Sequence, residues 1–67
     1  MTNHIKALRA AHSLTQEEVA DRVGVTRQTI LAIEKNKYVP SLELAFKIAR
    51  LFHKGVEEVF QYENQSE

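Results

Sequence analysis

Two helix-starting threonines only eleven residues apart, Thr15 and Thr26, constrain this 67-residue chain more than any other feature. In Thr15-Gln16-Glu17-Glu18, the Thr15 hydroxyl can accept a backbone N–H of the first turn. Glu18, three residues on, can reach back to the Thr15 amide and complete a capping box. Val19, Ala20 and Val23 then line one helical face, and Gly24 stops the helix as a left-handed C-cap. Thr26 caps the following helix, whose apolar pair is Ile30 and Ile33 and which ends near Glu34 or Lys35. A helix of about eight residues is weak alone in water. The two must therefore pack on one another through Val19, Ala20, Val23, Val25, Ile30 and Ile33. Ala20 is small where the helices cross, and Gly24 permits the sharp turn between them.

Helical periodicity organises the rest. A first helix is predicted from about Asn3 to His12, with Ile5 and Leu8 on one face. After Pro40, Ser41 caps a fourth, in which Leu44, Ala45, Ile48, Ala49 and Phe52 recur at helical spacing. Gly55 is expected to end it, and Leu44, Phe46 and Phe52 are assigned to the core. Val56 to Phe60 reads as a short fifth helix. Gln61 to Glu67 frays or forms a short strand. The expected fold is all-α, five helices in a single domain over 1–67, with the tight helical pair at about 15–34 and a tail at 61–67.

Size narrows the function classes. A chain this short buries about 60% of its surface on folding, which leaves little room for a substrate pocket of ~300 Å³ or more. The absence of cysteine removes a disulfide framework, a thiolate zinc site and a cysteine nucleophile together. Stability must come from packing or from a second subunit. The formal net charge is zero, but all nine Lys/Arg lie in residues 1–54 against five acids, a surplus of four. Residues 55–67 carry Glu57, Glu58, Glu63 and Glu67 with no base. Such a molecule can present one basic face. No apolar run approaches the ~18 residues of a membrane span, and Met1-Thr2-Asn3-His4 does not open a signal peptide. A cytoplasmic protein is expected.

Two short helices at a steep angle around a tight turn form a helix-turn-helix. With Ile30 and Ile33 inward, the outer side of the second helix shows Arg27, Gln28 and Thr29, then Leu31 or Ala32. Arg offers a fork of donors to guanine O6 and N7, and Gln a donor and acceptor to adenine N6 and N7. A methyl of Thr29 or Ala32 can meet a thymine methyl. A recognition helix reads base edges with its N-terminal residues.

The stretch from Leu14 to Ile30, with Gln16 opening its first helix and Gly24 at the turn, strongly resembles the Xre/phage-repressor helix-turn-helix family. The continuation Ile33-Glu34-Lys35-Asn36-Lys37-Tyr38-Val39-Pro40-Ser41-Leu42 is similar to the family's junction into the fourth helix. The resemblance covers about residues 4–60 and implies a five-helix, lambda-repressor-like DNA-binding domain. The chain looks like the short, Cro-like repressors that end in Phe-Gln-aromatic, here Phe60-Gln61-Tyr62. In some of those, the resemblance implies a small antiparallel ribbon, with Thr2-Asn3-His4 against Phe60-Gln61-Tyr62-Glu63.

It further implies that Arg27 and Gln28 read bases, with Thr29 and Ala32 beside them, and that Gln16 contacts a phosphate and braces Gln28. Lys35, Asn36 and Lys37 would follow the DNA backbone. Arg9 would pair with Glu34, tying the first helix to the third. Arg22 and Tyr38 are expected to be plain surface and packing.

The partners expected are a double-stranded DNA operator and a second copy of the chain. Leu51, Val59 and Tyr62 are taken as an apolar patch at a C-terminal dimer interface. No cofactor or small-molecule effector is expected. His4, His12 and His53 lack metal-ligand spacing. No nucleophile, base or metal set makes a catalytic site, because Thr15, Thr26 and Ser41 all serve as caps. The rival class is a protein-binding module on the same fold, antitoxin-like or a coregulator.

Overall fold

Hydroxyl groups start the three central helices. In the computed structural model, which describes residues 1–63, the Glu18 amide donates to Thr15 Oγ1 at 3.0 Å, and the Thr15 amide donates to Glu18 Oε1 at 2.8 Å. The Thr29 amide donates to Thr26 Oγ1 at 3.3 Å, and that of Leu44 to Ser41 Oγ at 3.1 Å. These caps open α2 (Gln16–Val23), α3 (Arg27–Glu34) and α4 (Leu42–Leu51). Gly24, at φ +78°, ends α2 in the left-handed region, so the Val25 amide turns back to the Ala20 carbonyl at 3.0 Å.

Before these helices come β1 (Thr2–Asn3) and α1 (Ile5–Ala11), and after them α5 (Val56–Val59) and β2 (Phe60–Gln61). The two strands pair antiparallel, Thr2 opposite Gln61 and Asn3 opposite Phe60. The His4 amide extends this ribbon by donating to the Val59 carbonyl at 2.9 Å. The chain is thus five helices closed by a two-stranded ribbon. Residues 64–67 of the tail expected from Gln61 onward lie outside the described residues.

Three features depart from the sequence reading. First, α4 ends at Leu51, not at Gly55. His53 takes φ +57°, and the Lys54 amide closes back on the Ala49 carbonyl at 2.9 Å. Ser13 after α1 and Asn36 after α3 end their helices in the same way. A non-glycine residue can hold this left-handed position when the turn it closes is well bonded. Gly55 instead opens α5, its amide donating to Glu58 Oε1 at 2.7 Å. Second, Phe46 is half exposed, not core. It stands two residues from Leu44, hence on the opposite side of α4 from the inward arc. Third, Val59 is wholly buried in the core with Ile5, Ile48 and Phe52. It cannot serve as a dimer contact without unfolding α5.

α2 packs on both α3 and α4, and α5 on α4, which buries one face of each around Val19, Ile30, Ile33 and Ile48. One ion pair binds α1 to this unit. Arg9 Nε donates to Glu34 Oε2 at 2.6 Å and Arg9 Nη2 to Glu34 Oε1 at 3.2 Å. The Arg9 and Glu34 side chains are only 16% and 8% exposed. The remaining Arg9 Nη1 donates to the Leu14 carbonyl at 3.1 Å, in the connection between α1 and α2. A two-pronged guanidinium–carboxylate contact of this kind fixes orientation as well as distance.

Two stability predictions follow from this geometry. Glu34→Ala removes the acceptor of a sheltered cation and should cost about 2–3 kcal/mol, the scale of hydrogen bonds to charged groups. Glu43→Ala removes only an exposed pair with Lys47 at 3.5 Å and should cost under about 0.5 kcal/mol. Urea melts of the two variants give the comparison. The Thr15 backbone amide, then the Thr15 hydroxyl, hold the Glu18 carboxyl below its ordinary value of 4.5, with a smaller contribution from Arg22. A lowered folded-state value favours the fold above the unfolded value and is lost as pH falls through the folded one. Glu18→Gln keeps a reciprocal cap without an ionisable group. Its stability should therefore fall less steeply than wild type below about pH 4.5, as read by thermal melts between neutral pH and pH ~3.

Candidate nucleic-acid interface

The first turn of α3 is where the fold leaves polar side chains without internal work. Arg27 and Gln28 are exposed, and among the described residues neither side chain hydrogen-bonds to the protein. Their helix is held from below by the buried Ile30 and Ile33, so the two side chains project from a fixed base. Thr29 is half-buried, and its hydroxyl lies 3.2 Å from that of Thr26. It therefore contributes to the cap, and its methyl is the group left for an outside contact. Ala32 is also half-buried, one turn beyond Gln28. At 100° per residue the outward arc of α3 runs Arg27, Leu31, Gln28, Ala32. Leu31 stands inside that arc. The sequence left open whether Leu31 or Ala32 occupied it, and helix geometry puts both there.

Gln16 opens α2 half-buried, and its Nε2 donates to Glu34 Oε1 at 3.1 Å. It thus braces Glu34, and not Gln28 as the family resemblance implied. Its carboxamide joins the Arg9–Glu34 pair and links the start of α2 to the end of α3. Lys35, Asn36 and Lys37 are all exposed in the connection after α3. Asn36, at φ +60°, turns the chain there, and its Oδ1 accepts from Asn3 Nδ2 at 3.1 Å. The same Asn3 amide nitrogen donates to the Ile33 carbonyl at 2.9 Å, while Asn3 Oδ1 accepts from the Ile5 amide at 3.1 Å. Asn3 therefore caps the end of α3 and the start of α1 from the ribbon. Sequence reasoning passed over it, because only the folded chain brings residues 3 and 33 together.

Arg22 is exposed and lines a groove between α2 and α4 with Asp21, Lys47, Arg50 and Leu51. No α3 residue borders that groove. Tyr62 lines a separate cleft with Met1, Val56 and Phe60 at the ribbon. The apolar patch expected from Leu51, Val59 and Tyr62 is therefore not one surface. Leu51 packs partly against the core beside α2, Val59 is inside, and Tyr62 is at the ribbon.

The first turn of α3 and the connection after it together form an exposed face that carries Arg27, Gln28, Lys35 and Lys37. No helix among the described residues is long and apolar enough to cross a membrane.

Comparison with known proteins bears on the same segment. The helix-turn-helix family model matches residues 5–59. An HTH-type transcriptional regulator of Methanocaldococcus jannaschii is 58% identical over 96% of this chain and 97% of its own. The HTH-type transcriptional regulator YgzD of Bacillus subtilis is 50% identical over 98% of this chain and its whole length. The cryptic phage CTXphi transcriptional repressor RstR of Vibrio cholerae is 41% identical over 76% of this chain and 46% of its own. Among solved structures, the clp gene regulator ClgR of Corynebacterium glutamicum superposes with a TM-score of 0.75 at 20% identity, over 81% of this chain and 57% of that one. The transcription factor NHTF of Neisseria does so with a TM-score of 0.75 at 22% identity, over 82% and 63%. At those identities the two structures speak for the fold. With the family model spanning both caps, the turn and the Arg9–Glu34 pair, the chain belongs to the Xre/phage-repressor helix-turn-helix family of transcriptional regulators.

Proposed function

We propose that this chain is a sequence-specific, double-stranded DNA-binding repressor that acts as a homodimer on an inverted-repeat operator. The observation that carries the reading is the exposure of Arg27 and Gln28, unbonded, on the first turn of a helix whose base is locked by Glu34, Arg9 and Gln16. A pre-positioned side chain loses little freedom on meeting a base edge, so its donor pattern translates into discrimination. Thr29, Ala32 and the adjacent Leu31 supply methyl groups for thymine. Lys35 and Lys37 take phosphates. Asn36 keeps its side-chain N–H₂ for the backbone while its oxygen holds Asn3. Gln16 uses one amide N–H on Glu34 and has a second to offer a phosphate, so its role is bracing first and phosphate approach second. The repressor assignment is supported by the phage CTXphi relative, which is named as a repressor. A two-fold dimer sets two α3 helices about 34 Å apart, one turn of the duplex.

The alternative of an antitoxin-like or coregulator module differs in its salt response. Phosphate neutralisation makes affinity fall steeply with salt, whereas a protein-only module shows no duplex binding to lose.

Duplexes selected from a random pool supply the cognate site. On it, Arg27→Ala and Gln28→Ala should each cost ~1–3 kcal/mol and relax preference at one base position, with non-specific affinity nearly unchanged. Lys35→Ala or Lys37→Ala should weaken all sequences alike and reduce the log–log salt slope by about one. Fluorescence anisotropy across a salt series reads both effects. Full operator discrimination by Arg27→Ala would remove α3 from the role of reader.

A further inference from the structure

Asn3 carries the ribbon's hold on the connection after α3. Its amide nitrogen donates to the Ile33 carbonyl at 2.9 Å and to Asn36 Oδ1 at 3.1 Å, and its oxygen accepts the Ile5 amide at 3.1 Å. The carboxamide can point only one way, because its nitrogen meets two acceptors and its oxygen a donor. Its backbone is fixed in turn. Asn3 stands opposite Phe60 in the ribbon, and the neighbouring His4 amide donates to the Val59 carbonyl at 2.9 Å. Val59 and Phe60 are both buried in the core.

We infer that Asn3 is a positioning residue for phosphate binding: it fixes the backbone from which Lys35 and Lys37 reach the duplex. The inference rests on the operator binding proposed above. Ile33 and Asn36 lie on either side of Lys35, and Asn36 immediately precedes Lys37, so the two Asn3 bonds bracket the lysines. Asn36 is also the residue of this connection in the left-handed region, at φ +60°. The Asn36 amide closes on the Ile33 carbonyl at 3.0 Å and the Lys37 amide on that of Ala32 at 2.9 Å. A non-glycine residue keeps such a conformation when its surroundings over-determine it, and the bond from Asn3 adds to that determination.

The lysines have no other anchor. Both are exposed, and among the described residues neither pairs with a carboxylate. Their side chains are free, so the backbone alone sets where they start. A connection ordered beforehand spares the duplex the cost of ordering it. Phosphate contacts carry no sequence information, and Arg27 and Gln28 lie at the far end of α3 from Asn3. Asn3 therefore governs affinity and not base discrimination. Linkage makes the effect reciprocal: bound phosphates must tighten the Asn3 bonds as the Asn3 bonds favour phosphate.

Asn3→Ser tests this. Serine keeps an oxygen for the Ile5 amide but is too short to reach Ile33 and Asn36. Circular dichroism melts verify the fold, and anisotropy well below the melt reads duplex affinity at low salt. The variant should bind about 3- to 10-fold more weakly, the scale of re-ordering one or two residues, and equally so for the selected operator and for unrelated duplexes. With Lys35→Ala and Lys37→Ala already in place, most of that loss should vanish, because the groups Asn3 positions are gone. A purely structural role would lower the melt and leave duplex affinity unchanged. In wild type, exchange of the Asn3 side-chain amide protons, followed by NMR, should slow by a comparable factor when duplex saturates the protein. That measurement stands whether or not the variant folds. A folded Asn3→Ser that binds every duplex as wild type does overturns the inference. So does an equal loss in the lysine-free background, a loss confined to the operator, or amide exchange that duplex leaves unchanged. A wild type that binds no duplex at any salt sinks the operator reading and this inference together, whereas normal duplex binding by Asn3→Ser sinks this inference alone.

Discussion

The carboxylate of Glu34 is the point on which the three N-terminal helices converge. It sits at the end of α3, accepts both prongs of Arg9 from α1, and accepts the Gln16 amide from the first position of α2. None of these helices exceeds eight residues, so none persists on its own. Apolar burial holds them together but leaves their relative rotation loosely specified. Directional charge-assisted bonds at one carboxylate specify it. The outward aim of Arg27 and Gln28 depends on that rotation, two turns back along the same helix.

The same end of α3 is fixed a second time, from the chain's extremities. The ribbon joins Thr2–Asn3 to Phe60–Gln61, and Asn3 spends its carboxamide on Ile33, Asn36 and the start of α1. Residues far apart in sequence thereby terminate α3, and the left-handed Asn36 lets the Lys37 amide close back on the Ala32 carbonyl at 2.9 Å. α3 is consequently held at its C-terminal end by these polar contacts, at its start by the Thr26 cap, and along its inner face by Ile30 and Ile33. Such a helix suits recognition by docking with little rearrangement.

The surface divides by the same economy. Side chains required for caps or for Glu34 are bonded within the fold, and two groups among those without an internal partner lie next to one another in sequence. One is the polar turn of Arg27 and Gln28 followed by Lys35 and Lys37. The other is the apolar strip of Val39, Leu42 and Phe46. Only one residue, Tyr38, separates the end of the first from the start of the second.

The helix starts, the short α2–α3 unit and the inward residues Val19, Ile30, Ile33 and Ile48 were legible in the sequence. Their causes are local: a hydroxyl three residues ahead of an amide, a glycine at positive φ, and apolar side chains at helical spacing. The pairing of Arg9 with Glu34 came from family resemblance, and no local pattern contains it. Where cause was not local, the sequence reading failed. Gly55 was read as the stop of α4, yet His53 closes that helix because the Lys54 amide finds the Ala49 carbonyl. Phe46 was read as core and Val59 as surface, because hydrophobicity marks a side chain that prefers burial and not one that achieves it. Which of them does so is set by the direction each takes once α4 and α5 have packed. Local chemistry determined the elements and their order. Tertiary packing alone decided which apolar groups were left outside and which distant partners, Asn3 and Gln16 among them, closed on α3, because those outcomes depend on distances that no spacing along the chain contains.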